Sequence, residues 1–334
     1  MKKIIGIICM AAVLAIGSTS CKKDNGTNTY LFSLPTVEGF SAGDDKAYVD
    51  ITVSGNPLKW WEGDQMMIYS VDATNTVPTT AVYTADEGCQ GATIAHFTGT
   101  LLEEGSYGYF AFYPAEKAGR VEENNRAYFN VEDTQNFDSQ LDFSNTSYAG
   151  RIFMDPKGVV AASTCQALNG SVAVTLQHIF GFANVRVKDL SANTGQKKLK
   201  KVTITDPHHN LAGEMSILIP EITTERLNAL QTMGNNYYQN GNAEAYLATL
   251  TSTLQEMGYE ASGDGHSLTL DCSDANITIS NTNKFFIIPI RPGVLMNDFT
   301  VTVTYDNDQT QDFNFDANSY IIRPGYFTNI QCTF

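Results

Sequence analysis

Hydrophobic residues recur at every second position along much of this chain. The segment Phe299-Thr-Val-Thr-Val-Thr-Tyr305 is the clearest case, with Phe299, Val301, Val303 and Tyr305 on one side and three threonines on the other. Successive side chains of a strand point to opposite faces, so this pattern predicts a half-buried β-strand. Residues 48–53, 171–176, 201–205 and 276–280 alternate in the same way. Turn-forming clusters separate such segments, among them Ser54-Gly-Asn-Pro57, Glu103-Glu-Gly-Ser106 and Asn307-Asp308. Short strands broken by turns at this spacing predict an all-β chain of antiparallel sandwiches rather than βαβ units.

One region departs from the period of two. Between residues 221 and 258 the apolar positions fall at helical spacing: Leu227, Leu230 and Met233, then Tyr246, Leu247, Leu250, Leu254 and Met257. Residues 234–241, rich in Gly and Asn, separate two helices, and Pro220 ends the strand before them. The expectation is a helical insertion packed on the edge of a sandwich. Tyr237 and Tyr238 are its candidate surface contacts, because tyrosine offers an apolar ring with a polar tip.

The first residues obey a different logic. Lys2 and Lys3 precede an apolar run over residues 4–17, and Ser18-Thr19-Ser20 provide small residues before Cys21. The run is too short to cross a bilayer as a helix and reads as an export signal over residues 1–20. A cysteine directly after the small residues is similar to a bacterial lipoprotein signal. That resemblance implies a lipidated Cys21 as the first mature residue and a membrane partner reached through the lipid. Residues 21–28 are polar and read as a short tether. The Lys23-Asp24 pair points to the outer surface, so the expected location is the outer membrane, facing outward.

Charge narrows the partners. The chain carries 21 Lys and Arg against 36 Asp and Glu, a formal net charge of −15, and loss of the signal removes two further lysines. An acidic body without clustered bases disfavours nucleic acid and anionic membrane surfaces. Cys89, Cys165, Cys272 and Cys332 remain after Cys9 leaves and Cys21 is lipidated. Three disulfide connectivities are open to them, Cys272 with Cys332 being one geometrically reasonable pair, and buried free thiols are the equal alternative.

Chemistry-bearing constellations are sparse. The five histidines are dispersed, and His208-His209 after Pro207 reads as a surface turn. No Gly-x-Ser-x-Gly, Walker, Gly-x-Gly-x-x-Gly or His-Glu-x-x-His motif occurs. Asp271, Asp274, Asp306 and Asp308 lack the spacing of a calcium loop. Neither catalysis nor a cofactor nor a metal is expected.

Several segments in chain order resemble the fimbrillin family, the subunits of type V pili. Trp60-Trp61-Glu-Gly-Asp-Gln-Met-Met-Ile-Tyr69 is similar to that family's early aromatic-x-x-Gly-Asp element, and Tyr107-Gly-Tyr-Phe-Ala-Phe-Tyr-Pro114 to its aromatic strand ending in Tyr-Pro. Phe129-Asn-Val-Glu-Asp-Thr-Gln135, His178-Ile-Phe-Gly-Phe-Ala-Asn-Val-Arg-Val187, Leu211-Ala-Gly-Glu-Met-Ser216, Phe285-Phe-Ile-Ile-Pro289 and Arg323-Pro-Gly-Tyr-Phe-Thr-Asn-Ile330 follow in order. The resemblance implies two tandem transthyretin-like β-sandwiches, here over 29–170 and 171–334, the second holding the insertion at about 221–258. It further implies export as a lipoprotein, trypsin-like removal of the first strand, and donor-strand exchange with other pilus subunits.

Applied to this chain, the first strand is Thr29-Tyr-Leu-Phe-Ser-Leu34, and Lys46 is the base at which processing would occur. Lys46 stands where the family often has Arg, and two aspartates precede it. The sequence stops within its last strand-like segment, and together these features favour an anchor, tip or accessory subunit over a shaft subunit. The expected function is thus a structural or adhesive surface component of a pilus. The alternative is a monomeric surface lipoprotein that presents Trp60, Trp61, Tyr237 and Tyr238 to glycans or a host protein.

Overall fold

A computed structural model describes residues 27–33, 48–50, 58–60, 62–71, 79–89, 92, 94–100, 108–113, 115, 126–136, 151–152, 161–165, 173–175, 177–178, 181–191, 197–218, 221, 225–226, 229, 243–291, 295–296, 298–315, 320–322 and 327–334. Its first strands are β1 (Thr27–Ser33), β2 (Tyr48–Asp50), β3 (Leu58–Lys59), β4 (Gln65–Val71), β5 (Thr79–Ala85), β6 (Ile94–Thr100) and β7 (Gly108–Tyr113). There follow β8 (Arg126–Val131), β9 (Thr134–Asn136), β10 (Arg151–Ile152), β11 (Ala161–Cys165), β12 (Ala173–Thr175) and β13 (Gln177–His178). The rest comprises β14 (Gly181–Lys188), β15 (Lys197–Thr205), β16 (Gly213–Leu218), helix α1 (Ala243–Glu256), β17 (Glu260–Ala261), β18 (Ser267–Asp271) and β19 (Thr278–Ile279). It closes with β20 (Lys284–Ile290), β21 (Leu295–Met296), β22 (Phe299–Tyr305), β23 (Thr310–Phe315), β24 (Tyr320–Ile321) and β25 (Phe327–Thr333). The fold is all-β and of sandwich type, as the alternation predicts.

The largest sheet has eight strands in the order β12-β1-β6-β5-β4-β7-β11-β13. Its core is aromatic. Trp60 is fully buried, edge-on to Phe97 at 4.7 Å and to Tyr113 at 5.2 Å, and the Tyr113 hydroxyl donates to Asp64 Oδ1 at 3.1 Å. Gly63, at φ 85°, makes the turn that sends Met66 and Ile68 inward along β4. A Trp60 buried in this way contributes nothing to a glycan platform. Trp61 lies outside the described residues. A separate three-stranded sheet runs β10-β2-β3.

The later strands surround a second core. β20-β14-β25 form one sheet, β23-β22-β15-β18-β9 another with β19 attached to β15, and β17-β16-β8 a third. Ala183, Val185 and Val187 of β14, Val202 and Ile204 of β15, and Val301 and Val303 of β22 all join one buried cluster. The alternation of β22 survives as strict buried and half-buried positions. The 276–280 reading is corrected: only Thr278 and Ile279 are strand, because Asn276 turns the chain at φ 46°.

Helix α1 confirms the change of period. Tyr246, Leu250, Leu254 and, just past its end, Met257 are buried in the same cluster. Each such side chain contributes about 1.5–3 kcal/mol relative to exposure. The helix stops because Gly258 adopts φ 65°, so that Gly258 N–H bonds to Gln255 and Tyr259 N–H to Leu254, closing the last turn. A Cβ at Gly258 would lie 2.6 Å from the Leu218 side chain. Residues 225, 226 and 229 are also helical.

Strand pairing crosses the middle of the chain. β8 pairs antiparallel with β16 and β9 parallel with β18, so residues 126–136 complete sheets built from later residues. Conversely β12 and β13, which follow residue 170, join the eight-stranded sheet.

Candidate functional site

Among the described residues β1 pairs only with strands far along the chain. Thr27–Ser33 lies inside the eight-stranded sheet, antiparallel to β6 over its full length from Thr27↔Thr100 to Ser33↔Ile94. Its other edge runs parallel to β12 through Leu31↔Ala173, Phe32↔Val174 and Ser33↔Thr175. Among the described residues β12 has no ladder partner except β1. Seven extended residues span about 23 Å, which is the length of slot that β1 fills. Register sets Tyr30 opposite Phe97 and Phe32 opposite Ala95, both of which are buried, and Ser33 opposite Ile94, which is 52% exposed.

Such a slot recognises a strand chiefly through main-chain groups. Without β1, the edges of β6 and β12 would present unpaired N–H and C=O groups along one line, a template for strand addition. An occupant must run antiparallel to β6 and parallel to β12.

Cys21, Lys46, Tyr237 and Tyr238, the residues singled out for lipidation, processing and surface contact, lie outside the described residues. Lys46 falls between the end of β1 and Tyr48, the first residue of β2. No helix among the described residues is long and apolar enough to cross a membrane.

The histidine turn has a structural explanation. Asp206, fully buried, accepts bonds from His208 N at 2.8 Å and His209 N at 3.0 Å, and its carboxylate lies 3.1–3.2 Å from His209 Nδ1. His266 Nδ1 sits 3.1 Å from the carbonyls of Asp206 and His209. These contacts fasten a loop end. Among the described residues no group of three or more His, Cys, Asp or Glu could hold a metal.

The three cysteines whose side chains are described are buried and unpaired with one another. Cys89, Cys272 and Cys332 are buried free thiols, so the Cys272–Cys332 bridge is not formed. Burial pushes Cys332 up to about 12, and burial with the nearby Asp271 charge raises Cys272 further, which withholds the reactive thiolate. Cys165 lies in β11, and its side chain is outside the described set.

Two carboxylates of the later strands are paired. Burial pushes Asp189 up, but hydrogen bonds from Ser191 and the charge of Lys197 at 3.5 Å outweigh it and hold the group below its ordinary range. Asp271 follows the same logic with Ser273 and Lys201. Sequence reasoning missed Arg126. It is buried on β8 and donates to Ser216 Oγ at 2.9 Å, Gly258 O at 2.6 Å and Glu260 Oε1 at 3.0 Å. The available signal was a lone Arg opening the alternating run Arg126-Ala-Tyr-Phe-Asn-Val131.

No protein-family model matches the chain, and no curated protein matches it by sequence. Solved structures of similar outline exist. A candidate cell adhesion protein of Bacteroides uniformis aligns at 11% identity over 93% of this chain and 94% of its own, with a TM-score of 0.45. A candidate cell adhesion protein of Bacteroides ovatus gives 11% identity, 93% of each chain and a TM-score of 0.44. A fimbrial protein of Bacteroides ovatus aligns at 10% identity over 92% of this chain and 49% of its own, with a TM-score of 0.38. Likeness at this level establishes neither family nor function.

Proposed function

We propose that the chain is a lipid-anchored surface protein of adhesive or fimbrial type, assembled with its neighbours by strand exchange at β1. The reading rests on one observation: the first strand of the chain occupies an interior position of a large sheet, flanked on both edges by ladders. Each ladder bond contributes about 0.5–1.5 kcal/mol net, and the bonds are largely indifferent to side chains. A strand of the same polarity from another subunit would therefore recover most of what β1 supplies. The fimbrillin-like segments and the lipoprotein-like signal support the same reading.

Cys21 and β1 are linked by only five tether residues, about 20 Å when extended. While β1 stays in the sheet the lipid holds the body at the membrane. Once the chain is cut after Lys46 the lipid leaves with β1. The acidic pair before Lys46 slows trypsin-like attack, which favours an anchor, tip or accessory role over a shaft.

The test is limited proteolysis of the purified precursor with a trypsin-like protease. Loss of residues 21–46 followed by ladders on denaturing gels would establish exchange and a shaft-like role. One trimmed product that stays monomeric would exclude self-polymerisation and leave a terminal role. If residues 27–33 stay bound after the cut and no added strand displaces them, the exchange reading fails.

A further inference from the structure

We infer a second ligand site, a shallow cleft at one end of the β15 sheet that takes a single sugar ring bearing a carboxylate. It stands whether or not β1 is exchanged. The cleft, of about 250 Å³, is lined by Lys198, Leu199, Lys200, Ser273, Asn276 and Asp306.

Its shape comes from two irregularities. Leu199 pairs with Tyr305 and Lys201 with Thr304, so Lys200 is the extra residue of a β-bulge, a device that re-aims side chains at strand ends. Beside it, Asn276 takes φ 46° in the turn between β18 and β19. Three backbone bonds hold the walls: Leu199 N to Ile277 O at 2.8 Å, Cys272 N to Lys200 O at 2.8 Å, and Asp306 N to Lys198 O at 3.0 Å. The lining is thus carried on fixed main chain.

The polar groups sort into committed and available. Lys200 Nζ is bound to Asp308 at 2.6 Å, and Ser273 Oγ donates to Asp271 at 2.5 Å. Lys198, Asn276 and Asp306 are exposed and make no side-chain ion pair or hydrogen bond among the described residues. A cation, an amide and an anion therefore face one small space.

That combination selects a ligand class. A bare anion would satisfy Lys198 and be repelled by Asp306. A neutral sugar would use Asp306 and Asn276 and leave the Lys198 charge without a partner. A sugar acid places its carboxylate on Lys198, donates hydroxyls to Asp306, and meets both halves of the Asn276 amide. The volume lies just below the usual range for ligand pockets, which fits one ring. A ligand of that size in an open cleft should bind with a Kd of about 1 mM.

Saturation-transfer NMR on the purified full chain tests this with methyl glucuronoside, methyl glucoside, acetate and alanine as probes. The sugar acid is expected to bind with a Kd of about 1 mM and the other three at least about tenfold more weakly. Lys198→Ala and Asn276→Gly should each weaken the sugar acid about tenfold, the glycine being chosen because it keeps the turn conformation. Lys188→Ala, outside the cleft, should leave binding unchanged, and near-UV circular dichroism verifies that each variant is folded. The proposal is overturned by no binding of the sugar acid at about 20 mM. Equal binding of glucoside, acetate or alanine overturns it too, as does sugar-acid binding that ignores both cleft variants in folded protein.

Discussion

β1 and β8 are both strands placed in sheets built largely from distant parts of the chain, yet they are held in different ways. β1 has ladders on both edges, to β6 and to β12. β8 is an edge strand with one ladder, to β16, but its side chains are embedded. Ala127, Phe129 and Val131 enter the main core, and Arg126 ties the helix terminus at Gly258 to Ser216 and Glu260. Main-chain ladders accept any strand of suitable polarity, whereas a buried side-chain lock accepts only its own sequence. On the function proposed above, β1 is the strand to be exchanged and β8 is one that stays.

Four measurements break or sharpen that contrast. The largest effect is expected for Phe129→Ala, which empties a position packed on Phe112 at 5.2 Å and should cost about 3–5 kcal/mol in urea unfolding. Next, Arg126→Met should cost about 2 kcal/mol by leaving the Gly258 carbonyl and Ser216 without their buried donor. The Glu260 contact adds little to that figure, since Glu260 is largely exposed. Arg126→Lys should rescue only part, because one ammonium cannot span three acceptors.

A proline in β1 removes a ladder donor. Leu31→Pro should cost about 1–2 kcal/mol and speed trypsin cleavage at Lys46. An unchanged cleavage rate would mean that the ladders do not protect the Lys46 segment.

The smallest effect is acid sensitivity. Asp189 and Asp271 have folded pKa values held below the ordinary range, so their stabilisation is complete above that range. It is lost as pH falls through their depressed values, below about pH 4. The urea midpoint should therefore decline in acid, and Asp189→Asn should flatten the decline. A midpoint that rises on acidification would contradict the pairing with Lys197.

What was legible in the sequence follows from the range of each interaction. β22 and α1 were readable because their periodicity is written within a dozen residues. β14 carries buried residues on both faces, including Asn184, so its pattern blurs and its central place is not evident from alternation. Residues 276–280 alternate, but Asn276 favours a left-handed turn, and that local preference won. No sequence period names a partner, so the pairings of β8 with β16 and β1 with β12 stayed invisible. Of the site, β1 and the alternation over 171–176 that holds β12 were read, while β6 and both pairings were not. The cleft beside Lys198 was hidden in Lys-Lys-Leu-Lys-Lys, which looks like an ordinary solvated strand end.

The crossing of strands between the two halves also sets a timetable. Leu31 waits for Ala173 before its second ladder exists, and Phe129 waits for Met215. If the chain emerges from its amino end, the eight-stranded sheet cannot close until β12 and β13 follow, and β8 lacks its partner until β16 does. Pairings this distant are slow to form, and one edge of β1 stays open until β12 arrives. A chain of this design should depend on a holding factor that covers such edges until they pair, and its folding should finish as one late event rather than two.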